Sequence, residues 1–104
     1  MANQRIEALK RFLQIDPNDE VAYFGLGKAL MDEGQFAEAA EYLEKCIQVK
    51  PSYSAAYLYL AESLLKVDKK DRAKQVCQDG HAVSLKNGDL QVTKKIEAIQ
   101  AMLD

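Results

Sequence analysis

Residues 23–30 read YFGLGKAL, and residues 57–64, thirty-four places further on, read YLYLAESL. Tyr23 falls on Tyr57, Leu26 on Leu60, Gly27 on Ala61 and Leu30 on Leu64. The overlay continues outward, with Pro17 on Pro51, Ala39 on Ala73, Leu43 on Cys77 and Val49 on Val83. A fixed period of this length marks a chain built from stacked copies of one supersecondary unit. Within each unit the apolar residues recur at i, i+3, i+4 and i+7, the stripe of an amphipathic helix. Two stripes per unit, parted at Gly34 or Asp68, make a helix–turn–helix. Asp is tolerated where such a turn needs a left-handed residue.

The succession Tyr23, Leu26, Gly27, Leu30, then Ala39 and Pro51, resembles the tetratricopeptide repeat. In that resemblance Tyr23 is the usual aromatic, Gly27 the small residue at the close helix crossing, and Pro51 the stop of the second helix. The second unit departs from the pattern at Ala61, Asp68 and Leu85, which stand in place of two glycines and the proline. The resemblance implies an all-α, right-handed helical solenoid. It also looks like the small stand-alone repeat proteins of bacteria, which implies a whole molecule and not a fragment.

The flanks continue the register. Shifted back by one period, Leu43, Cys46, Ile47 and Val49 become Leu9, Phe12, Leu13 and Ile15. Residues 3–17 therefore read as a half repeat, with 20–53 and 54–87 as full repeats and 88–104 as a capping helix. Six antiparallel helices are expected, at 3–15, 19–33, 36–49, 53–67, 70–86 and 89–103. Asn87-Gly88 ends the fifth, and Asp89 can cap the sixth.

The last helix conflicts with the strict register. Under it, Lys94 and Lys95 would fall on the core positions of Leu60 and Ala61, and burying two unpaired lysines is costly. One extra residue in the loop at Gly88 removes the conflict and lays Val92, Ile96 and Ile99 against the fifth helix. The rival placement is a last helix docked in the groove of its own chain or of a neighbour.

Composition limits the function. The formal charge is −2, with basic and acidic residues interleaved in both halves. That leaves no phosphate-binding footprint, so nucleic acid is not an expected partner. Lys66, Lys69, Lys70, Arg72 and Lys74 form a basic run, but Asp68 and Asp71 sit inside it. The N-terminal stretch carries Arg5, Glu7, Lys10 and Arg11, unlike a signal peptide, and no apolar run is long enough to span a bilayer. Two cysteines without a secretory signal point to free thiols in a reducing, cytoplasmic setting.

No reaction chemistry can be assembled. His81 is the single histidine, and the period sets it on the apolar positions of Ile47 and Leu13. Cys46 and Cys77 fall in core stripes and read as small buried hydrophobes. Together with His81 they do not supply a zinc ligand set. Gly25, Gly27 and Gly34 follow no strand and lie in or beside a helix, so they form no phosphate loop. Neither enzyme activity, cofactor nor metal is expected.

What remains is a surface. The first helix of each unit is apolar nearly all round, and a single-layer solenoid buries only one of its sides. The other side carries Val21, Phe24, Lys28 and Met31 in the first unit, and Ala55, Leu58, Tyr59, Glu62 and Leu65 in the second. Exposed in a concave groove, these would hold an apolar peptide or an amphipathic helix of another protein. The alternative is a homodimer or larger oligomer that pairs the same groove with its copy. The resemblance also implies a test for one ligand, the chaperone C-terminal tail gripped by a carboxylate clamp. The corresponding positions hold Phe24, Lys28, Tyr59, Asp89 and Thr93, with one base and one repelling acid, so that ligand is disfavoured.

Overall fold

The computed structural model describes residues 2–103, which form six helices and, among those residues, no strand. They are α1 (Ala2–Ile15), α2 (Glu20–Asp32), α3 (Phe36–Val49), α4 (Ser54–Lys66), α5 (Lys70–Asn87) and α6 (Leu90–Leu103). Each packs on its neighbours in the chain, and α4 also touches α2 and α6. α3 stands further from α1 and α5 and meets them through long side chains, in the Lys10–Glu38 and Arg72–Glu44 ion pairs. The even-numbered helices thus line the tighter, concave side of a solenoid measuring 38 × 27 × 20 Å.

The turns follow the local chemistry. Gly34, Asp68 and Gly88 all take positive φ, at 75°, 62° and 72°. After each, the next backbone N–H returns to a carbonyl five residues back: Gln35 to Leu30, Lys69 to Leu64 and Asp89 to Ser84, all at 2.9 Å. These bonds satisfy carbonyls that a helix end leaves open. Asp19 caps α2 by accepting from the Ala22 N–H at 2.9 Å. A tyrosine ties down the loop before each full repeat. Tyr23 donates to the Pro17 carbonyl at 2.8 Å and Tyr57 to the Pro51 carbonyl at 2.7 Å.

The core runs along the interior between the two layers. Leu26, Leu30, Leu43, Leu60, Val76 and Ile96 are its largest apolar members, with Cys46 and Cys77 fully enclosed among them. Gly27 and Gly80 mark close crossings. A Cβ on Gly27 would meet Leu43 at 2.6 Å, and one on Gly80 would meet the Tyr57 Cβ at 2.5 Å.

Leu85 explains the C-terminal geometry. Pro51 stops α3 after Val49, whereas α5 has Leu85 at that register position and runs on to Asn87. The extra turn shifts α6 by two residues relative to the strict period, not by the expected one: α6 starts at Leu90, thirty-six places after Ser54, and Val92, Thr93, Ile96 and Ile99 take the positions of Ala56, Tyr57, Leu60 and Ser63. Val92, Ile96 and Ile99 are buried, and Lys94 and Lys95 stay in solvent. A buried hydroxyl pair, Ser84 with Thr93 at 2.7 Å, also joins α5 to α6. Asp89 does not act as the expected side-chain cap. Its carboxylate accepts from the Ser54 hydroxyl at 2.7 Å, which ties the start of α6 to the start of α4.

Phe12 departs from the register. The period aligns it with buried Cys46, yet it is 42% exposed. The face of α3 that holds Cys46 lies against α2, the first helix of the same repeat. The corresponding face of α1 has no such helix.

Candidate protein-binding groove

The concave side is built where α2 and α4 lie side by side. Phe24 and Lys28 project from α2 toward α4 because they sit one helical turn apart, off the core stripe of Tyr23, Leu26, Gly27 and Leu30. The Phe24 ring lies 4.9 Å from that of Tyr53 and 5.8 Å from that of Tyr59. The Lys28 ammonium stands 3.6 Å from the centre of the Tyr59 ring. A cation over an aromatic face at a half-exposed site contributes roughly 0.5–1 kcal/mol. These contacts join α2 to α4 along the seam.

Of the residues expected in the groove, Phe24, Lys28, Met31, Ala55, Tyr59, Glu62 and Leu65 are half-buried, and Val21 is 62% exposed. Leu58 is a correction. It is 3% exposed and belongs to the same core cluster as Val92, Ile96 and Ile99. The expectation assumed one buried side per helix, but α4 is flanked by helices on both sides and α6 contributes to its core. Tyr53 was outside the expected set and joins the seam through Phe24. The period aligns it with Asp19, so the comparison of repeats carried no sign of it.

The structure also opens a cleft of about 750 Å³ where the groove reaches α1. Val21, Phe24 and Lys28 line it from α2, and Arg5, Leu9 and Phe12 line it from α1. Its floor is Gly25, where a Cβ would come within 3.6 Å of the Arg5 guanidinium and 3.8 Å of Leu9. Reading α1 as an ordinary second helix hid these residues.

Burial, with a smaller contribution from the Glu20 charge, pushes the Cys46 thiol up to about 12. Burial raises the Cys77 thiol as well. A thiol held protonated is a poor nucleophile. His81 rests on the surface with Nε2 2.8 Å from a Glu97 carboxylate oxygen, bridging α5 and α6. Among the described residues no group of three or more His, Cys, Asp or Glu could hold a metal ion, and no helix is long and apolar enough to cross a membrane.

Comparison with known proteins agrees with this architecture. A family model described as tetratricopeptide repeat matches residues 30–84. A TPR repeat-containing protein of Pseudomonas aeruginosa is 31% identical over 99 residues, covering 95% of this chain and 94% of the relative. The Yersinia enterocolitica type III secretion translocator chaperone SycD superposes with a TM-score of 0.91 at 13% identity, over 98% of this chain and 71% of that one. The TPR2B domain of yeast Sti1, solved in complex with pHsp70, gives 0.75 at 19% identity, over 89% and 80%. A matching thirty-four-residue period, a solenoid of paired helices and a full-length relative lead to one assignment: the chain belongs to the tetratricopeptide repeat family.

Proposed function

We propose that this protein is an interaction module that holds a polypeptide segment, an apolar peptide or one face of an amphipathic helix, along its concave side. The observation that carries the reading is the lane of half-buried Phe24, Met31, Tyr59 and Leu65, with Lys28 and Glu62 set among them. Aromatic and methionine side chains are the types enriched in contact patches, and a helix lays such anchors into a groove at i, i+3/i+4 and i+7. Two structural neighbours, a translocator chaperone and a repeat domain solved in complex with pHsp70, are of the same kind. A tail carboxylate is a poor fit for this lane. Lys28 already faces Tyr59, Asp89 would repel an anion, and Thr93 is engaged with Ser84.

A random peptide library selected on the wild-type chain tests the reading, with binding of the enriched sequences mapped by amide chemical shifts. Apolar or amphipathic sequences should emerge and perturb α2 and α4. Met31→Glu and Leu65→Glu should each weaken them at least tenfold while the helical circular dichroism is unchanged. Binding that maps to α3 and α5, or that survives both substitutions, would refute the concave lane.

A further inference from the structure

Asn87-Gly88, the step that ends α5, has no part in the concave lane. It is the single Asn-Gly step of the chain, since Asn3 and Asn18 precede Gln4 and Asp19. The Asn87 amide Nδ2 donates to the Ser52 carbonyl at 2.8 Å, which ties the α5–α6 joint to the loop between α3 and α4. The Gly88 N–H donates to the Leu85 carbonyl at 3.1 Å, and the Asp89 N–H to the Ser84 carbonyl at 2.9 Å. Leu85, Lys86, Asn87 and Gly88 are all exposed, so these bonds hold a segment that buries no side chain of its own. A segment of that kind opens far more often than the core unfolds.

We infer that Asn87 is a self-modification site, at which opening of the α5–α6 joint lets the asparagine convert to an acid without an enzyme. The Gly88 nitrogen attacks Cγ of Asn87. An N–Cγ bond forms, the Cγ–Nδ2 bond breaks, and the Gly88 proton leaves with Nδ2 as ammonia. Water then opens the cyclic imide. Cleavage at Cγ yields aspartate, and cleavage at the main-chain carbonyl carbon yields isoaspartate. Glycine favours the attack because it has no side chain to crowd its nitrogen. In the closed joint the attacking nitrogen keeps its proton on Leu85, and the leaving Nδ2 is held on Ser52. The reaction therefore waits on opening. Its product undoes the joint, because a carboxylate cannot donate to the Ser52 carbonyl. The new negative charge also stands at the C-terminus of α5, where the helix dipole disfavours it, and two residues from Asp89. Isoaspartate further adds a methylene to the main chain next to Gly88, whose φ of 72° sets the turn. Asp89 is tied to Ser54 and Ser84 to Thr93, so a loosened joint weakens the seating of α6 on α4 and α5.

The conversion is independent of the peptide reading, since it needs no partner. Incubation of the full chain at mildly alkaline pH reads it, with digestion and mass spectrometry that separates asparagine, aspartate and isoaspartate. Both acids should accumulate at Asn87, while Asn3 and Asn18 stay intact. The folded chain should convert roughly tenfold or more slowly than the chain unfolded in urea, the factor by which the closed joint predominates. Its rate should stay nearly flat across sub-denaturing urea, because a local opening exposes little surface. Leu13→Ala weakens a core cluster that contains no residue of α5 or α6, and it should leave the rate unchanged. Converted protein, resolved from fresh protein by ion exchange, should unfold at lower urea. A folded chain that never converts, or one that converts as fast as the unfolded chain, overturns the proposal. So does a rate that climbs steeply with urea and with Leu13→Ala, since Asn87 would then react only in the unfolded chain. An unchanged urea midpoint for the converted protein would overturn the weakening of α6.

Discussion

At Ser63 the packing leaves a hydroxyl without a partner: the residue is fully buried and its Oγ makes no hydrogen bond among the described residues. The first repeat has Ala29 at the same register position, also buried. Ser63→Ala should therefore stabilise the fold by about 1 kcal/mol, the order of the desolvation cost of an unpaired hydroxyl. A urea midpoint that falls on this substitution would contradict the packing described. The other residue-scale consequence is alkaline. Burial raises the Cys46 thiol from near 9 to about 12 and shifts Cys77, Tyr53 and Tyr57 in the same direction. The folded state thus holds these protons more tightly than the unfolded chain. Their contribution is complete below about pH 9 and is lost as pH rises toward 12, by at most about 1.4 kcal/mol per unit for each group. Urea midpoints between pH 8 and 11 should fall, and Cys46→Ala should flatten that fall. Native Cys46 should also resist iodoacetamide at pH 8 until urea is added.

Two helical glycines separate propensity from packing at the level of the element. Gly80 lies where α5 crosses α4, and its Cβ would strike the Tyr57 Cβ at 2.5 Å and Ile96 at 3.0 Å. Gly80→Ala gains roughly 1 kcal/mol of helix propensity, but overpacking costs roughly 1–3 kcal/mol, so stability should drop. Gly25 meets only ordinary contacts, at 3.6 and 3.8 Å, so Gly25→Ala should stabilise by about 0.5–1 kcal/mol. Thermal melts of the two variants should move in opposite directions. Helix ends were legible from Pro17, Gly34, Pro51, Asp68 and Gly88, because turn chemistry is local. The reach of α5 to Asn87 followed from Leu85 standing where repeat 1 has a proline. The partner of Asp89 was not legible, since Ser54 is thirty-five residues away in the chain.

Across the whole molecule, stability in a solenoid is close to a sum of unit and interface contributions, so the end helix matters more than its length suggests. Deleting residues 89–104 removes Val92, Ile96 and Ile99 from the core they share with Leu58. It also uncovers Leu58, Val76 and Cys77 and takes the Thr93 partner from Ser84. The truncated chain should unfold at lower urea and aggregate at concentrations where the full chain is clear. An unchanged midpoint with a monodisperse product would show that α6 contributes little to the core.

The sequence by itself determined the thirty-four-residue period, which repeats in the residue order, and the six helices, their turns and the core stripe, because each of these depends on residues within a turn or two of one another. Only the tertiary structure decided which apolar faces stay open. Leu58 and Leu65 share one helix face, yet Leu58 is enclosed by a core shared with α6 while Leu65 remains in the lane. Phe12 and Cys46 share one register position, yet only Cys46 has a first helix of its own repeat to cover it. Periodicity states that a face is apolar. Whether another helix lies against it depends on the neighbours, and at the ends of a stack the period no longer supplies them.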